Sequence, residues 1–348
     1  MGYTTGSQVK RRSPFHQFLS RKIEIMLYLN ANNIKEIGFN WEQLTSVIKD
    51  AVVQLHANDY SQPIKPYLRF GDPKNRIIAM PAYIGGENPW AGIKWIASFP
   101  DNIYKDKLRA NSVTILNEHD SGIPRCIINT ATVSAIRTAA VSGLVVKEFI
   151  NGYNSDRKLI VGINGFGPIG QMHLRMITSI LGETIDKVLI HDLNPIDVNN
   201  IDDEIAAQTF IVSSWEECYR EADIFITCTV SDAPYINLPP KKGSLQLNVS
   251  LRDYTVDMKD FMDIIIVDNW EEVCRQNTDI ENMHKQKGLL ENDTWSIAEI
   301  VNKGILGKRA ATDVVMFNPM GMAIFDIAVG GYYYREALHK NMGFALPD

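Results

Sequence analysis

Residues 159–192 limit what this chain can fold into more than any other stretch. Leu159–Asn164 reads LIVGIN, a continuous apolar run of strand length. The glycine turn Gly165-Phe166-Gly167-Pro168-Ile169-Gly170 follows without a spacer, and Ile169, Met172, Met176, Ile177 and Ile180 then recur at helical spacing. Strand, G-x-G-x-x-G turn and helix in that order open a dinucleotide-binding βαβ unit. The first glycine makes the turn, the second lets backbone approach a pyrophosphate, and the third lets helix pack on strand, with the phosphate at the positive helix end. The next strand, KVLIHD, closes on Asp192, 22 residues past Gly170, where an acid holds a ribose diol. A carboxylate there repels a 2′-phosphate, so the expected cofactor is NAD rather than NADP, with Pro168 and Ile169 sharing the binding turn.

The rest of the second half continues the alternation. Strands DIFITCTV, LQLNVS and DIIIVD, with a helix near residues 215–221, predict a Rossmann, doubly wound parallel α/β sheet covered on both faces. The first half reads differently. WEQLTSVIKDAVVQLHAN places Leu44, Val47, Ile48, Ala51, Val52 and Leu55 on one helical face. IIAMPAYI, AGIKWIASF, SVTILNE and RCIINT are β-rich runs divided by turn residues, which predicts an antiparallel meander under that helix, an α+β domain. At Thr130 a long helix begins, with Val133, Ile136, Ala140, Val141, Leu144 and Val145 expected on one side. Residues 1–25 lack any burying period and read as a flexible basic arm.

Charge and composition mainly exclude. At 348 residues, with 35 Lys+Arg against 41 Asp+Glu and a net charge of −6, the chain carries no global footprint for nucleic acid. It has no apolar run long enough for a membrane span and opens without a hydrophobic leader, so the expected setting is cytoplasmic, with no membrane partner. Cys126, Cys218, Cys228 and Cys274 form no C-x-x-C pair and have no histidine at zinc spacing, so buried thiols are expected and no metal site. Three cations sit in apolar contexts: Arg69 ending KPYLR, Lys94 inside AGIKWIASF, and Arg137 inside SAIRTAA. Together they suggest a carboxylate site, because a guanidinium matches a carboxylate bidentately and a desolvated lysine can move a proton near neutrality. Asp253, in NVSLRD just past a strand, lies where crevices form at strand carboxyl ends and could partner a substrate amine.

Two resemblances arise. VGINGFGPIG is similar to the opening of glyceraldehyde-3-phosphate dehydrogenases, but here it starts at Val161, and the nearest match to their S-C-T-T-N nucleophile is Thr227-Cys228-Thr229-Val230. The broader resemblance runs from about Met26 to the C-terminus. KPYLR, IIAMPAYIGG, AGIKW, SAIRTAA, GFGPIG, IHD, ITCT and NPMGMAIFD resemble the ornithine cyclodeaminase and mu-crystallin family, and within it a branch of siderophore-pathway dehydrogenases acting on a secondary-amine amino acid.

That resemblance implies a substrate-binding and dimerisation domain over 26–135 and 318–348, an inserted NAD-binding domain over 136–317, and a homodimer. It implies that Arg69, Arg137 and Met80 bind an amino-acid substrate, that Lys94 transfers a proton at the reacting carbon, and that Asp253 faces the amine. Thr138, Thr229, Val230 and Met320 would join Gly165, Gly167, Gly170 and Asp192 around the dinucleotide. Cyclodeaminases resemble one another in a glutamate on the strand before M-P. Ile78 stands there, which favours dehydrogenase chemistry.

Overall fold

In the computed structural model, which describes residues 26–151 and 157–347, the chain builds two eight-stranded sheets. It enters through β1 (Met26–Asn30), α1 (Ala31–Ile37) and α2 (Trp41–Ala57), then two short strands, β2 (Tyr60–Ser61) and β3 (Tyr67–Leu68). The four β-rich runs become β4 (Arg76–Ile84), β5 (Trp90–Ser98), β6 (Ala110–Asn117) and β7 (Pro124–Asn129), each antiparallel to the next, as the turn chemistry predicts. The basic arm lies outside the described residues.

The chain continues through α3 (Thr132–Ile150), β8 (Leu159–Asn164), α4 (Pro168–Leu181), β9 (Ile185–His191), α5 (Asp203–Ala206), β10 (Thr209–Ile211), α6 (Trp215–Arg220), β11 (Ile224–Thr227) and β12 (Leu245–Asn248). Then come β13 (Ile264–Val267), α7 (Trp270–Val273), α8 (Asp279–Lys287), β14 (Trp295–Ser296), α9 (Ile297–Lys303), β15 (Val315–Asn318), α10 (Ala323–His339) and β16 (Phe344–Leu346). The second sheet is parallel throughout, in the order β10-β9-β8-β11-β12-β15-β13-β14. Its order reverses between β8 and β11, which makes the carboxyl ends of those strands the switch point where ligands bind. Five of its strands are readable as apolar runs. β15 is not, because four residues carry no period, yet all four are buried and the strand inserts between β12 and β13. The run DIFITCTV was expected to be strand to its end; it leaves the sheet after Thr227, freeing residues 228–230 for a loop.

On the first sheet, side chains alternate strictly between faces. Met80, Ala82 and Ile84, Lys94, Thr114 and Leu116, and Cys126 and Ile128 share the buried face, which α10 covers; α2, expected over the meander, packs instead on α10 and α3. β16 returns to pair with β1, which itself lies parallel to β7. These non-local pairings leave no local sequence signal. α3 differs from the expected one-sided helix: it is buried around most of its circumference because α2, α4 and α10 all pack on it. Among the described residues no helix is long and apolar enough to cross a membrane.

α10 lies against β5 closely enough to require glycine. A Cβ on Gly331 would come 2.5 Å from the Trp90 ring. Gly331→Ala is therefore expected to lower stability by about 1–3 kcal/mol through overpacking, while Gly307→Ala, where an added Cβ meets nothing within 4 Å, is expected to be near neutral. Urea unfolding of the two variants checks this.

Candidate functional site

The glycine turn sits at the switch point, stitched to its neighbours. Gly165 N–H donates to His191 O (2.8 Å) and Cys228 N–H to Asn164 O (2.7 Å), so the chain segments following β8, β9 and β11 converge. Gly165 has φ of 92°, and a Cβ there would lie 2.6–2.8 Å from the backbone of Cys228 and Thr229. A Cβ on Gly170 would lie 2.1 Å from Gly165 O. Both glycines are thus demanded by the protein itself. Gly167 is not: an added Cβ would meet nothing within 4 Å. It caps α4 without a side-chain bond, with Pro168 at the first helical position. Open space beside a bare helix amino end fits a ligand diphosphate. The Asp192 carboxylate accepts from Phe166 N (2.6 Å) and Asn194 N (2.8 Å), which holds it against the glycine turn at the end of β9, where a ribose diol would reach it. Val230, in the loop after β11, is 65% exposed. The residues present therefore fit a dinucleotide.

A second centre lies on the buried face of the first sheet. Lys94, opposite Met80 in the β4–β5 register, is 2% exposed. Its ammonium donates to Asp326 Oδ1 (2.9 Å) and Ser134 Oγ (3.1 Å). Arg137 Nε donates to the same Asp326 oxygen (2.8 Å). Asp326 stands in the first turn of α10, where the helix dipole favours an anion; its Oδ2 is buried with no hydrogen-bond partner. Burial, then Arg137, push Lys94 down to about 7, against the pull of Asp326. Burial opposes ionisation of Asp326 too, yet Arg137 and Lys94 hold it below the usual carboxylate range. The result is a permanent guanidinium–carboxylate pair beside an amine that can gain or lose a proton near neutrality.

The loop between β15 and α10 backs this centre. A Cβ on Gly321 would lie 2.7 Å from Arg137 Nη1, so the guanidinium rests against bare backbone. Asp268, at the end of β13, accepts from Met320 N (3.0 Å) and Gly321 N (2.6 Å). Lys65 reaches Gly321 O (3.0 Å) and pairs with Glu272 (3.6 Å). Met320 thus serves through its backbone. Thr138, one residue from Arg137, bonds back to Ser134 O on its own helix.

Neither Arg69 nor Asp253 makes a hydrogen bond or ion pair with Lys94, Arg137 or Asp326. Arg69 is exposed and bonds Pro73 O and Gln276 Oε1, with no ion pair to the groups around Lys94. Asp253 is fully buried and accepts from Thr229 (2.6 Å) and Ser250 (2.6 Å); no ion pair joins it to Lys94 or Arg137. Burial raises its pKa. Asp326, Ser134, Lys65 and Asp268 were not singled out from sequence. The signal for Asp326 was present: a lone acid within the apolar helix AIFDIA.

The chain matches the ornithine cyclodeaminase/mu-crystallin family over residues 26–341. It is 33% identical to the N-((2S)-2-amino-2-carboxyethyl)-L-glutamate dehydrogenase of Staphylococcus aureus, covering 92% of this chain and 98% of that one. Its fold is similar to that of Thermococcus litoralis Δ1-pyrroline-2-carboxylate reductase in complex with NADH and L-proline, with TM-score 0.81, 21% identity, and coverage of 92% of this chain and 100% of that one. It is also similar to an archaeal alanine dehydrogenase dimer with bound NAD, with TM-score 0.78, 22% identity, and coverage of 92% and 99%.

The Asp192 geometry sets an expected outcome for cofactor choice. Asp192→Asn removes the charged acceptor, and NADH affinity, followed by fluorescence titration, should fall roughly 10-fold or more, while the preference for NADH over NADPH narrows.

Proposed function

Because the chain belongs to the ornithine cyclodeaminase/mu-crystallin family, we propose that it is an NAD-dependent dehydrogenase. In this reading it cleaves N-(2-amino-2-carboxyethyl)-L-glutamate oxidatively to L-2,3-diaminopropionate and 2-oxoglutarate, a step of siderophore or related secondary metabolism. The observation that carries the reading is the buried Lys94–Asp326–Arg137 cluster. The 33% identity to a dehydrogenase of that amine supports the substrate.

NAD, held by the glycine turn and Asp192, supplies the two-electron oxidant. The chain's own residues handle charge, protons and orientation. Arg137 offers a cation to a substrate carboxylate, and Met80 packs beside Lys94 on the same face. Neutral Lys94 takes the proton from the substrate's secondary ammonium, because oxidation needs the nitrogen lone pair. Loss of the α hydrogen of the glutamate moiety with its electron pair, which bound NAD⁺ would accept, would leave a C=N bond. Water adds to that carbon, the C–N bond breaks, and the nitrogen departs with the diaminopropionate. One NAD⁺ and one water are consumed for each NADH and proton released. Arg69 and Asp253 would reach the substrate only from the rim and from beneath Thr229. Ile78 shares the Lys94 face, opposite Ile96, and brings no carboxylate for ring closure.

A homodimer is supported by the other face of the first sheet. Ala79, Tyr83, Ile93, Ile115 and Ile127 lie there half-buried around Trp95, which is 42% exposed. A large apolar sheet face of this kind marks a protein interface. Trp95→Glu with Ile93→Asp should shift the mass measured by light scattering from dimer to monomer.

Incubation with the amine and NAD⁺ should give stoichiometric absorbance at 340 nm and both products by mass spectrometry; turnover with no net NADH would overturn the dehydrogenase reading in favour of a cyclodeaminase. Lys94→Met should reduce kcat by roughly 10²–10⁴ with NADH binding intact. Since neutral Lys94 is the active form, kcat should rise with pH through about 7, and Asp326→Asn, which removes the anion raising that pKa, should move the limb to lower pH.

A further inference from the structure

Four arginines, Arg69, Arg76, Arg252 and Arg275, gather about Tyr67, Arg69 and Arg252 sharing Gln276. A fifth, Arg109, adjoins Arg76 across β5, since it precedes Ala110 and Ser98 pairs with both Ala110 and Arg76. Arg69, Arg275 and Arg76 lie 5.5, 5.8 and 6.0 Å from the centre of the Tyr67 ring. Arg76 is pushed below the ordinary guanidinium value by burial and by Arg252, Arg69 and Arg109, and Arg109 in turn by burial and by Arg252. Compensation is scant. Among the described residues only Arg275 of the five has an ion pair, to Glu272 at 3.4 Å, and that carboxylate already faces Lys65. Arg69 and Arg252 bond neutral oxygens, and the buried Nε of Arg76 has no hydrogen-bond partner. Clustered like charges with so little neutralisation raise the local potential and concentrate anions.

The position of the cluster identifies the anion. Arg76 shares the β4 face of Met80, hence of Lys94, at four residues or about 13 Å along the strand, a gap that a long guanidinium side chain shortens. Arg252 adjoins Asp253, beyond the carboxyl end of β12. The cluster therefore spans from the substrate face of one sheet to the cofactor end of the other. We propose that Arg76, Arg109 and Arg252 form a distal anion subsite, taking the carboxylates of a di- or tricarboxylate amine that lie remote from the reacting carbon, and so select such substrates over amino acids with neutral side chains. This rests on the reading that Lys94 marks the reacting carbon.

The test uses NAD⁺-loaded protein, wild type and the Arg76→Gln and Arg109→Gln variants, with NADH affinity and melting temperature as checks of folding. The KM for N-(2-amino-2-carboxyethyl)-L-glutamate should rise 10- to 100-fold in each variant, with kcat within about 3-fold of wild type. Calorimetric affinity for tricarballylate should fall in parallel, and wild type should bind tricarballylate more tightly than glutarate and glutarate more tightly than butyrate. That charge order is read on wild type alone, so it holds if a variant fails to fold. Unchanged KM and tricarballylate affinity in folded variants would overturn the subsite while leaving the proposed reaction intact. If wild type does not oxidise the amine, the reaction fails, and loss of tricarballylate binding in the variants still supports the subsite. Inorganic phosphate binding more tightly than tricarballylate would overturn the carboxylate assignment.

Discussion

A single carboxylate oxygen, Oδ1 of Asp326, accepts from Lys94 and from Arg137 inside the protein, and the arrangement of the rest follows from that contact. Two cations and one anion removed from water are costly, and such clusters persist where function keeps them rather than because they stabilise. The sharing has a chemical consequence. The Arg137 guanidinium stays paired with Asp326 when Lys94 releases its proton. The lysine can cycle between two states without stranding a buried anion. With only one carboxylate between the two cations, burial outweighs attraction and brings Lys94 to about 7. A second acid in the cluster would hold the ammonium charged.

The same contact ties the two sheets together. Lys94 comes from β5, Arg137 from α3 and Asp326 from α10, and only four residues, 319–322, separate the end of β15 from α10. The intervening loop is fixed from both sides, by Asp268 on its N–H groups and Lys65 on its carbonyls. Gly321 then lets the Arg137 guanidinium lie on backbone. A displacement at the carboxyl end of β13 or β15 therefore reaches Asp326 through one short, doubly anchored segment. The glycine turn lies at the same end of that sheet as the loop that backs the lysine centre.

What was legible in the sequence was local. The glycine turn reads correctly because strand, turn and helix are contiguous, and β4 to β7 read correctly because each strand pairs with the next. β15, β16 and the parallel β1–β7 pair escaped because their partners lie far away in sequence and strands of three to five residues carry no period. The one-sided reading of α3 failed because periodicity detects a face against solvent, and this helix has almost none. Lys94 and Arg137 stood out as cations in apolar runs. Asp326 carried the same kind of signal, a lone acid in an apolar helix, but its role is set by partners 232 and 189 residues away. For Arg69 and Asp253, residue type suggested a role in binding, and the fold places Arg69 at the surface and Asp253 buried against Thr229.

Cys228 and His173 show why the chemistry of this crevice is not nucleophilic, despite a glycine turn similar to that of a thiol enzyme. Their side chains approach to 3.8 Å, the spacing of a loose Cys–His pair. An activated thiol needs a base and a pKa lowered toward neutrality. Here burial, with Asp253 adding to it, pushes the Cys228 thiol far up. Burial drives His173 down to about 4, and its ring is already engaged by Ser142 and Ile169 O. A neutral imidazole beside a protonated thiol is packing, not a catalytic pair. In the proposed reaction, proton transfer close to neutrality therefore falls to Lys94, which Ser134 and Asp326 on other elements hold in place.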